Sequence, residues 1–199
     1  MLDLRAYERV RDEYRQRVMA RKRRRRVGLG PIMTVVFECF DTVRFQVQEM
    51  VRVERILTDE GVQEELDVYN RLLPSAGELS ATLFIELTSE DDLRHWLPRL
   101  VGVERSVGFC LSADGGEEGW VAGVPEETHA EALTRETVTP AVHYLRFPFS
   151  PDEVRRFASG PVALAVRHPA YEARTELTSE IHDELLGDLE GRTEPLPLA

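Results

Sequence analysis

Apolar and polar residues repeat with two different periods along this chain, and the period changes near residue 75. In the first part, one set of apolar residues recurs every three or four positions, which is typical of one face of a helix: Leu4, Tyr7, Val10, Tyr14 and Val18. Asp3 is placed to cap that helix. We expect it to end at the segment VGLGP, residues 27–31, because glycine and proline interrupt helices.

Two more helices are predicted before residue 75. One spans Thr34 to Thr58 and ends at the segment DEG, with Gly61 as its stop signal. The next is VQEELDVYNRLL, which closes at Pro74. Residues 1–75 are therefore expected to form a helical N-terminal segment, with short connections that favour helices packed side by side.

After residue 75 the pattern is that of strands separated by short helices. SATLFIELT, AVHYLRFPF and PVALAVRH read as strands, and RSVGFCLS and GWVAGV flank a glycine-rich connection that is typical of a hairpin. Short capped helices are predicted at SEDDLRHWLPRL, SPDEVRRFA and TSEIHDELLGDLEG. The predicted fold class is α+β, with long N-terminal helices packed on a largely antiparallel sheet. Residues 76–199 are the sheet segment, and both segments should form one compact domain.

Composition restricts the class of protein. With 42% hydrophobic residues in 199, the chain can bury a core, and no run approaches the roughly 18 apolar residues of a membrane span. The N-terminus is charged throughout and lacks the apolar centre of a signal peptide. Cys39 and Cys110 stand far apart, so neither a disulfide framework nor a zinc motif is indicated. These features favour a cytoplasmic protein that does not bind a membrane.

Charge is distributed unevenly. Residues 1–26 hold eleven Arg or Lys against four Asp or Glu, whereas the remainder holds fourteen against thirty-two. The basic run RKRRRR, Arg21 to Arg26, could contact a phosphate backbone. It could equally be solvated or lie against the acidic surface of its own chain. Because the rest of the protein repels nucleic acid, we favour the second interpretation.

The sequence gives little support to a metal, cofactor or nucleophile. Five histidines are present, but none lies in an H-E-x-x-H motif, and the single E-x-x-H is Glu126 to His129. His143, His168 and His182 would be better ligands than His129, although we expect no metal site and no cofactor. Cys39 and Cys110 lie in apolar contexts, which favours buried, unreactive thiols.

The segment FECFDTVRFQVQEMVRVERI, residues 37–56, carries polar residues among apolar ones on every side of a predicted helix. In one interpretation the helix is sandwiched between layers, and its polar groups bond to one another or to loop carbonyls. In the other, Glu38, Arg44, Glu49 and Arg52 line a polar pocket or a protein interface. Both interpretations predict an enclosed helix whose polar groups have partners. The first is favoured.

A second candidate is the segment HPAY at the end of a predicted strand. Pro169 must end that strand or keep it at an edge, which places His168 at the rim of the sheet and Tyr171 just beyond it. In the simpler interpretation, the imidazole bonds a backbone carbonyl and the tyrosine ring covers the edge of the core. In the functional one, His168 and Tyr171 face the 34–58 helix across a cleft as binding residues.

The segments LGPIMTVVFECFDTVRFQVQEMVRVERI, GVQEELDVYNRLLPSAGELSATLFIEL and VRHPAYEARTEL together resemble an uncharacterised bacterial family, a domain of unknown function. The resemblance covers most of the chain. Members are often encoded beside rubrerythrin-like proteins and heterodisulfide-reductase-like iron–sulfur proteins. In relatives, polar residues follow the glutamate where this chain has Cys39 and Phe40. The family supplies no catalytic residues to transfer.

What the resemblance implies is a role beside peroxide reduction and electron transfer under oxidative stress. The leading hypothesis is a non-enzymatic accessory or binding protein with a rubrerythrin-like or iron–sulfur partner, because two isolated cysteines cannot hold a cluster. The alternatives are a small-molecule enzyme or ligand-binding domain with a pocket on the 34–58 helix, and nucleic-acid binding through residues 21–26. A homo-oligomer is compatible with each hypothesis.

Overall fold

In the computed structural model of the chain, which describes residues 1–112, 119–126 and 137–198, the first element is the predicted helix α1, Leu4–Arg23. The Asp3 carboxylate accepts a hydrogen bond from the Ala6 amide at 2.9 Å, so the predicted cap is confirmed. The apolar stripe of α1 is buried through Tyr7, Tyr14 and Val18. These residues pack against Phe45 of the next helix.

The prediction that residues 1–75 are helical is wrong between α1 and that next helix. Residues 26–38 form a β-hairpin of β1, Arg26–Leu29, and β2, Met33–Glu38. All six residues of β2 are buried, so the strand shows no alternation and its apolar run resembles a buried helix. Gly30 in the turn has φ +67°, and a Cβ there would lie 2.4 Å from the Tyr171 hydroxyl.

The second predicted helix is consequently shorter. The helix α2 spans Phe40–Val53, and α3 spans Asp59–Tyr69 and continues into a 3₁₀ turn, Asn70–Leu72. Gly61 lies inside α3 and is not the stop signal of the preceding helix. Thr58 begins α3 instead, because its hydroxyl accepts a hydrogen bond from the Gly61 amide at 3.2 Å.

The remaining helices and strands include those predicted, in the predicted order, and one strand that was not predicted, Tyr171–Glu176. They are β3 (Glu78–Ile85), α4 (Glu90–Trp96), β4 (Val107–Cys110), β5 (Trp120–Ala122), β6 (Val124–Pro125), β7 (Val142–Pro148), α5 (Pro151–Ser159), β8 (Ala163–His168), β9 (Tyr171–Glu176) and α6 (Ser179–Leu189). A 3₁₀ turn, Val103–Arg105, precedes β4. The three short helices are capped as predicted, by Ser89, by Ser150 and, of the two candidates Thr178 and Ser179, by Thr178.

The strands form two sheets that face each other across one core. The first has the order β1-β2-β3-β7-β6 and the second β5-β4-β8-β9, and all pairs between described strands are antiparallel. Phe109 joins the sheets, with its ring centroid 5.5 Å from that of Phe37 and 5.1 Å from that of Phe147. The predicted fold class, α+β with long N-terminal helices and a largely antiparallel sheet, is confirmed.

The helices α1, α2 and α3 lie on the other side of the first sheet, where α2 contacts β2. Since Val35 and Phe37 of β2 belong to the core, the alternate residues Val36 and Glu38 point away from it, toward the helices. The division into segments 1–75 and 76–199 stays a prediction, although residues 26–38 belong to the sheet. Among the described residues, no helix has the length and hydropathy that crossing a membrane requires.

Candidate functional site

A chain of buried ion pairs joins α1, α2 and α6, and we call it the buried ion-pair network. Its members are Arg21, Arg25, Asp41, Arg44, Glu184 and Asp188. Glu184 and Asp188 are four positions apart, so α6 presents both carboxylates on one face. The arginines come from the last turn of α1, from the residues after it and from α2.

Arg25 lies at the centre of this network and is fully buried. Its Nη1 and Nη2 donate to the Asp188 carboxylate at 2.5 and 2.9 Å, and its Nε donates to Glu184 at 3.0 Å. Burial is the largest single effect and lowers the pKa of Arg25, but the hydrogen bonds to Asp188 and the charges of Asp188 and Glu184 act together against it, and the pKa is raised. A two-point guanidinium–carboxylate pair fixes the relative position of both elements.

Asp41, in the first turn of α2, holds the C-terminal segment 193–198 in place. Its carboxylate is 1% exposed and forms ion pairs with Arg21 and Arg44. The Leu196 amide donates a hydrogen bond to this carboxylate and lies 3.1 Å from each of its oxygens. Arg44 donates to the Leu196 carbonyl at 2.6 Å and to the Tyr14 hydroxyl at 2.9 Å. The predicted site residue Arg44 thus bonds to Asp41, Tyr14 and Leu196 of its own chain.

The basic run 21–26 is largely neutralised by the protein itself. Arg21 pairs with Asp41, Arg24 with Glu184 at 3.3 Å, and Arg26 with Glu86 at 2.5 Å. Together with Arg25, four of the six cations therefore have acid partners. This agrees with the interpretation that the run lies against the acidic part of its own chain.

Glu49, a predicted site residue, bridges α2 and α1. Its carboxylate accepts two hydrogen bonds from Arg11, both at 2.8 Å, and one from the Tyr7 hydroxyl at 2.7 Å. The Arg11 hydrogen bonds lower the pKa of Glu49 more than burial raises it. Arg52 is more exposed and pairs with the exposed Glu8 at 2.6 Å. Both residues are partly buried and hydrogen-bonded, as predicted.

Glu38 ends β2, so the prediction that it lies on one helix with Glu49 and Arg52 is wrong. Its two carboxylate oxygens accept hydrogen bonds from the hydroxyls of Thr42, at 2.5 Å, and Thr82, at 2.7 Å. The side chain is buried but lines a cavity of about 380 Å³. Of the four predicted polar residues between 38 and 52, Glu38 alone lines a described cavity larger than 100 Å³.

His168 and Tyr171 are placed as in the simpler interpretation of HPAY. The imidazole Nε2 lies 3.2 Å from the Val101 carbonyl, and Nδ1 accepts the Ala170 amide at 3.2 Å, which assigns the proton to Nε2. The Tyr171 hydroxyl donates to the Leu29 carbonyl at 2.6 Å, and its ring belongs to the core. Neither residue shares a described hydrogen bond or cavity with α2, and a binding role for them stays a prediction.

The two cysteines are buried in different parts of the fold. Cys39 is the N-cap of α2, and burial raises the pKa of its thiol more than Arg25 lowers it. A thiol in this state is a weak nucleophile. Among the described residues, no group of three or more His, Cys, Asp or Glu could hold a metal ion, and His129 lies outside those residues.

The comparisons with known proteins agree with this fold. The sequence model of the family described as "Protein of unknown function (DUF3501)" matches residues 1–189. The chain belongs to this family. A crystal structure of a novel protein of unknown function from Burkholderia pseudomallei K96243 superposes with a TM-score of 0.84, at 35% identity, over 95% of this chain and 96% of that one. No curated protein matches the chain.

Sequence reasoning on this DUF3501 chain missed most members of the buried ion-pair network. Arg25, Glu184 and Asp188 were not predicted as site residues, because a basic run and an acidic helix both look solvated in sequence. One signal was present. Glu184 and Asp188 lie on the helix face next to that of Leu185 and Leu189, which are buried, and charges beside a buried stripe need partners.

Proposed function

We propose that this protein is a non-enzymatic accessory protein that binds a partner protein through the end of α2 and α3. We call this region, residues 53–69, the docking hairpin. The observation that carries the proposal is its exposed apolar surface. Leu57 is 83% exposed, Val53 66% and Val68 51%, and α3 has no buried residue. We propose that these side chains, all on this one helix pair, form the apolar part of an interaction site.

The charges around these apolar residues indicate the chemistry of the partner. Six acids lie on the docking hairpin, against Arg55 as its single base: Glu54, Asp59, Glu60, Glu64, Glu65 and Asp67. Burial, together with the neighbouring charges of Glu54 and Glu64, raises the pKa of Glu65, so the acids repel one another. A partner surface with an apolar centre and surrounding Arg or Lys side chains would relieve this repulsion and cover Leu57.

We further propose that the partner is a rubrerythrin-like or iron–sulfur protein and that the pair acts in the cytoplasm under oxidative stress. The support is the family resemblance described above. The redox chemistry would belong to the partner, because Cys39 and Cys110 are buried apart from each other and the pKa of Cys39 is raised.

Isothermal titration calorimetry with a purified rubrerythrin-like protein and a purified heterodisulfide-reductase-like iron–sulfur protein tests the proposal. We expect one of them to bind with a micromolar Kd, and this Kd should increase as salt is added. Leu57→Asp should weaken binding at least tenfold. Val138→Asp introduces the same charge at an exposed valine outside the docking hairpin and should leave binding unchanged. Absence of association with either protein at micromolar concentration contradicts the redox partner, and equal effects of both substitutions contradict the docking hairpin.

A further inference from the structure

A cavity of about 380 Å³ opens beside the end of α1, over the face of β2 and β3 that points away from the core. Its apolar wall is formed by Met19, Val36 and Phe84. Its charged wall is formed by Lys22, Arg23 and Arg26, and Glu38 lies at its buried end. We call it the basic cavity. Its volume is in the range of sites that bind small organic molecules.

The cations of the basic cavity differ from the other cations of the run 21–26. Arg21, Arg24 and Arg25 each have a buried or half-buried acid partner. Within the part of the chain that the structure describes, no acid pairs with Lys22 or Arg23, and Arg26 has only an exposed pair with Glu86. The protein carries a net charge of −11, so acids are abundant elsewhere on it. Three neighbouring cations beside an apolar wall attract an anion that also has apolar surface.

The buried carboxylate of Glu38 in the basic cavity favours a hydrogen-bond donor. One carboxylate oxygen of Glu38 accepts a hydrogen bond from the Thr42 hydroxyl, and the other accepts one from the Thr82 hydroxyl. Each carboxylate oxygen can accept a second hydrogen bond. Within the described residues, no Arg or Lys pairs with Glu38. The two hydroxyls fix the carboxylate, so its free lone pairs are held in place for a ligand.

We propose that the basic cavity binds a small amphipathic anion. The ligand class has an anionic group, such as a carboxylate, sulfonate or phosphate, an aromatic or aliphatic body, and an N–H or O–H group at the far end. Lys22, Arg23 and Arg26 bind the anionic group, Val36 and Phe84 contact the body, and Glu38 accepts the hydrogen bond. This site is separate from the docking hairpin, and it does not depend on the proposed partner.

The probe 6-anilinonaphthalene-2-sulfonate has these features, because its sulfonate and its N–H lie at opposite ends of an aromatic body. Fluorescence titration should show saturable binding to the full chain, with a stoichiometry of about one. The double variant Lys22→Ala/Arg23→Ala should bind at least tenfold more weakly. The matched control is Arg9→Ala/Arg15→Ala, which removes two exposed cations from α1 outside the cavity. It should bind as the parent does.

A second comparison tests Glu38. The analogue 6-phenoxynaphthalene-2-sulfonate has an ether oxygen in place of the N–H, so it cannot donate to the carboxylate. The parent should prefer the anilino probe by about tenfold, since a hydrogen bond to a charged group is lost. Glu38→Gln should reduce that preference, because the amide carbonyl is a weaker acceptor.

Three results overturn the proposal. The first is no saturable binding of the probe at millimolar concentration. The second is an equal loss of affinity in the two double variants, which would show that the probe responds to net charge alone. The third is a preference for the anilino probe that is the same in the parent and in Glu38→Gln, both folded by circular dichroism.

Discussion

Arg25 and Asp188 are 163 positions apart in sequence, yet they form a two-point ion pair in which the Arg25 side chain is fully buried and that of Asp188 is 6% exposed. The pair ties the end of α1 to the last turns of the C-terminal helix α6. Glu184 adds a second carboxylate on the same face of that helix. The contact therefore links the two ends of the described fold through charged groups where apolar packing would be usual.

Removing one partner of this pair should destabilise the protein strongly. Asp188→Ala leaves the Arg25 guanidinium buried with Glu184 as its remaining carboxylate, and we expect a loss of about 3–5 kcal/mol in the free energy of unfolding. Urea denaturation at neutral pH measures it. The control is Glu90→Ala, which breaks the exposed pair of Glu90 with Arg94 and should change stability by less than about 1 kcal/mol. Equal urea midpoints for the two variants would show that the buried pair contributes no more to stability than the exposed pair.

Glu49 and Arg52 should differ in their effect on stability, although both lie on α2 and both have partners. Glu49→Ala leaves the Tyr7 hydroxyl and the Arg11 guanidinium without their acceptor inside the α1–α2 interface, and we expect a loss of about 2–3 kcal/mol. Arg52→Ala removes a pair with the exposed Glu8 and should cost less than about 1 kcal/mol. The melting temperatures of both variants, compared with that of the parent, test this ranking. A larger shift for Arg52→Ala would contradict this ranking.

Much of the fold could be predicted from sequence because local signals agreed with it. The stripe on α1, the caps Ser89, Ser150 and Thr178, and the alternation in β3 each follow from short-range chemistry. The hairpin of β1 and β2 could not be predicted in the same way. The strand β2 is covered by the core on one face and by helices on the other, so burial removed the alternation that identifies strands.

The candidate sites were harder to predict, for a different reason. Polarity within 37–56 did indicate residues with buried partners, and Asp41, Arg44 and Glu49 have them. Which residues supply those partners depends on tertiary contacts over more than a hundred positions, as between Arg44 and Leu196. The basic cavity likewise joins α1 to three strands, β1, β2 and β3. No periodicity within one segment contains that information.

His143 should make the protein less stable as pH falls. Burial lowers the pKa of His143, although Glu104 opposes the shift. Well above pH 6.5, the ordinary pKa of a histidine, the ring is neutral in both folded and unfolded chains. As the pH falls through 6.5, the unfolded chain takes up the proton first. The free energy of unfolding therefore decreases until the pH is below the lower pKa of the folded state. Denaturation of the parent and His143→Gln at pH 8 and pH 6 should show a smaller loss in the variant. His95→Gln, at an exposed position, should keep the parent's loss, and equal losses in all three would contradict the assignment.

Arg55 occupies a backbone conformation that favours glycine. It has φ +54°, directly after the C-cap Glu54 of α2, and the next amide, of Ile56, donates to the Val51 carbonyl at 3.0 Å. This is the hydrogen bond of a helix that ends in a left-handed residue, where a side chain is unfavourable. Arg55→Gly should therefore stabilise the protein by about 0.5–1 kcal/mol, measured by urea denaturation. Arg55→Ala is the matched control, since it removes the guanidinium but keeps a Cβ, and it should give no such gain. If alanine stabilises as much as glycine, the cause is the lost charge and the backbone argument fails.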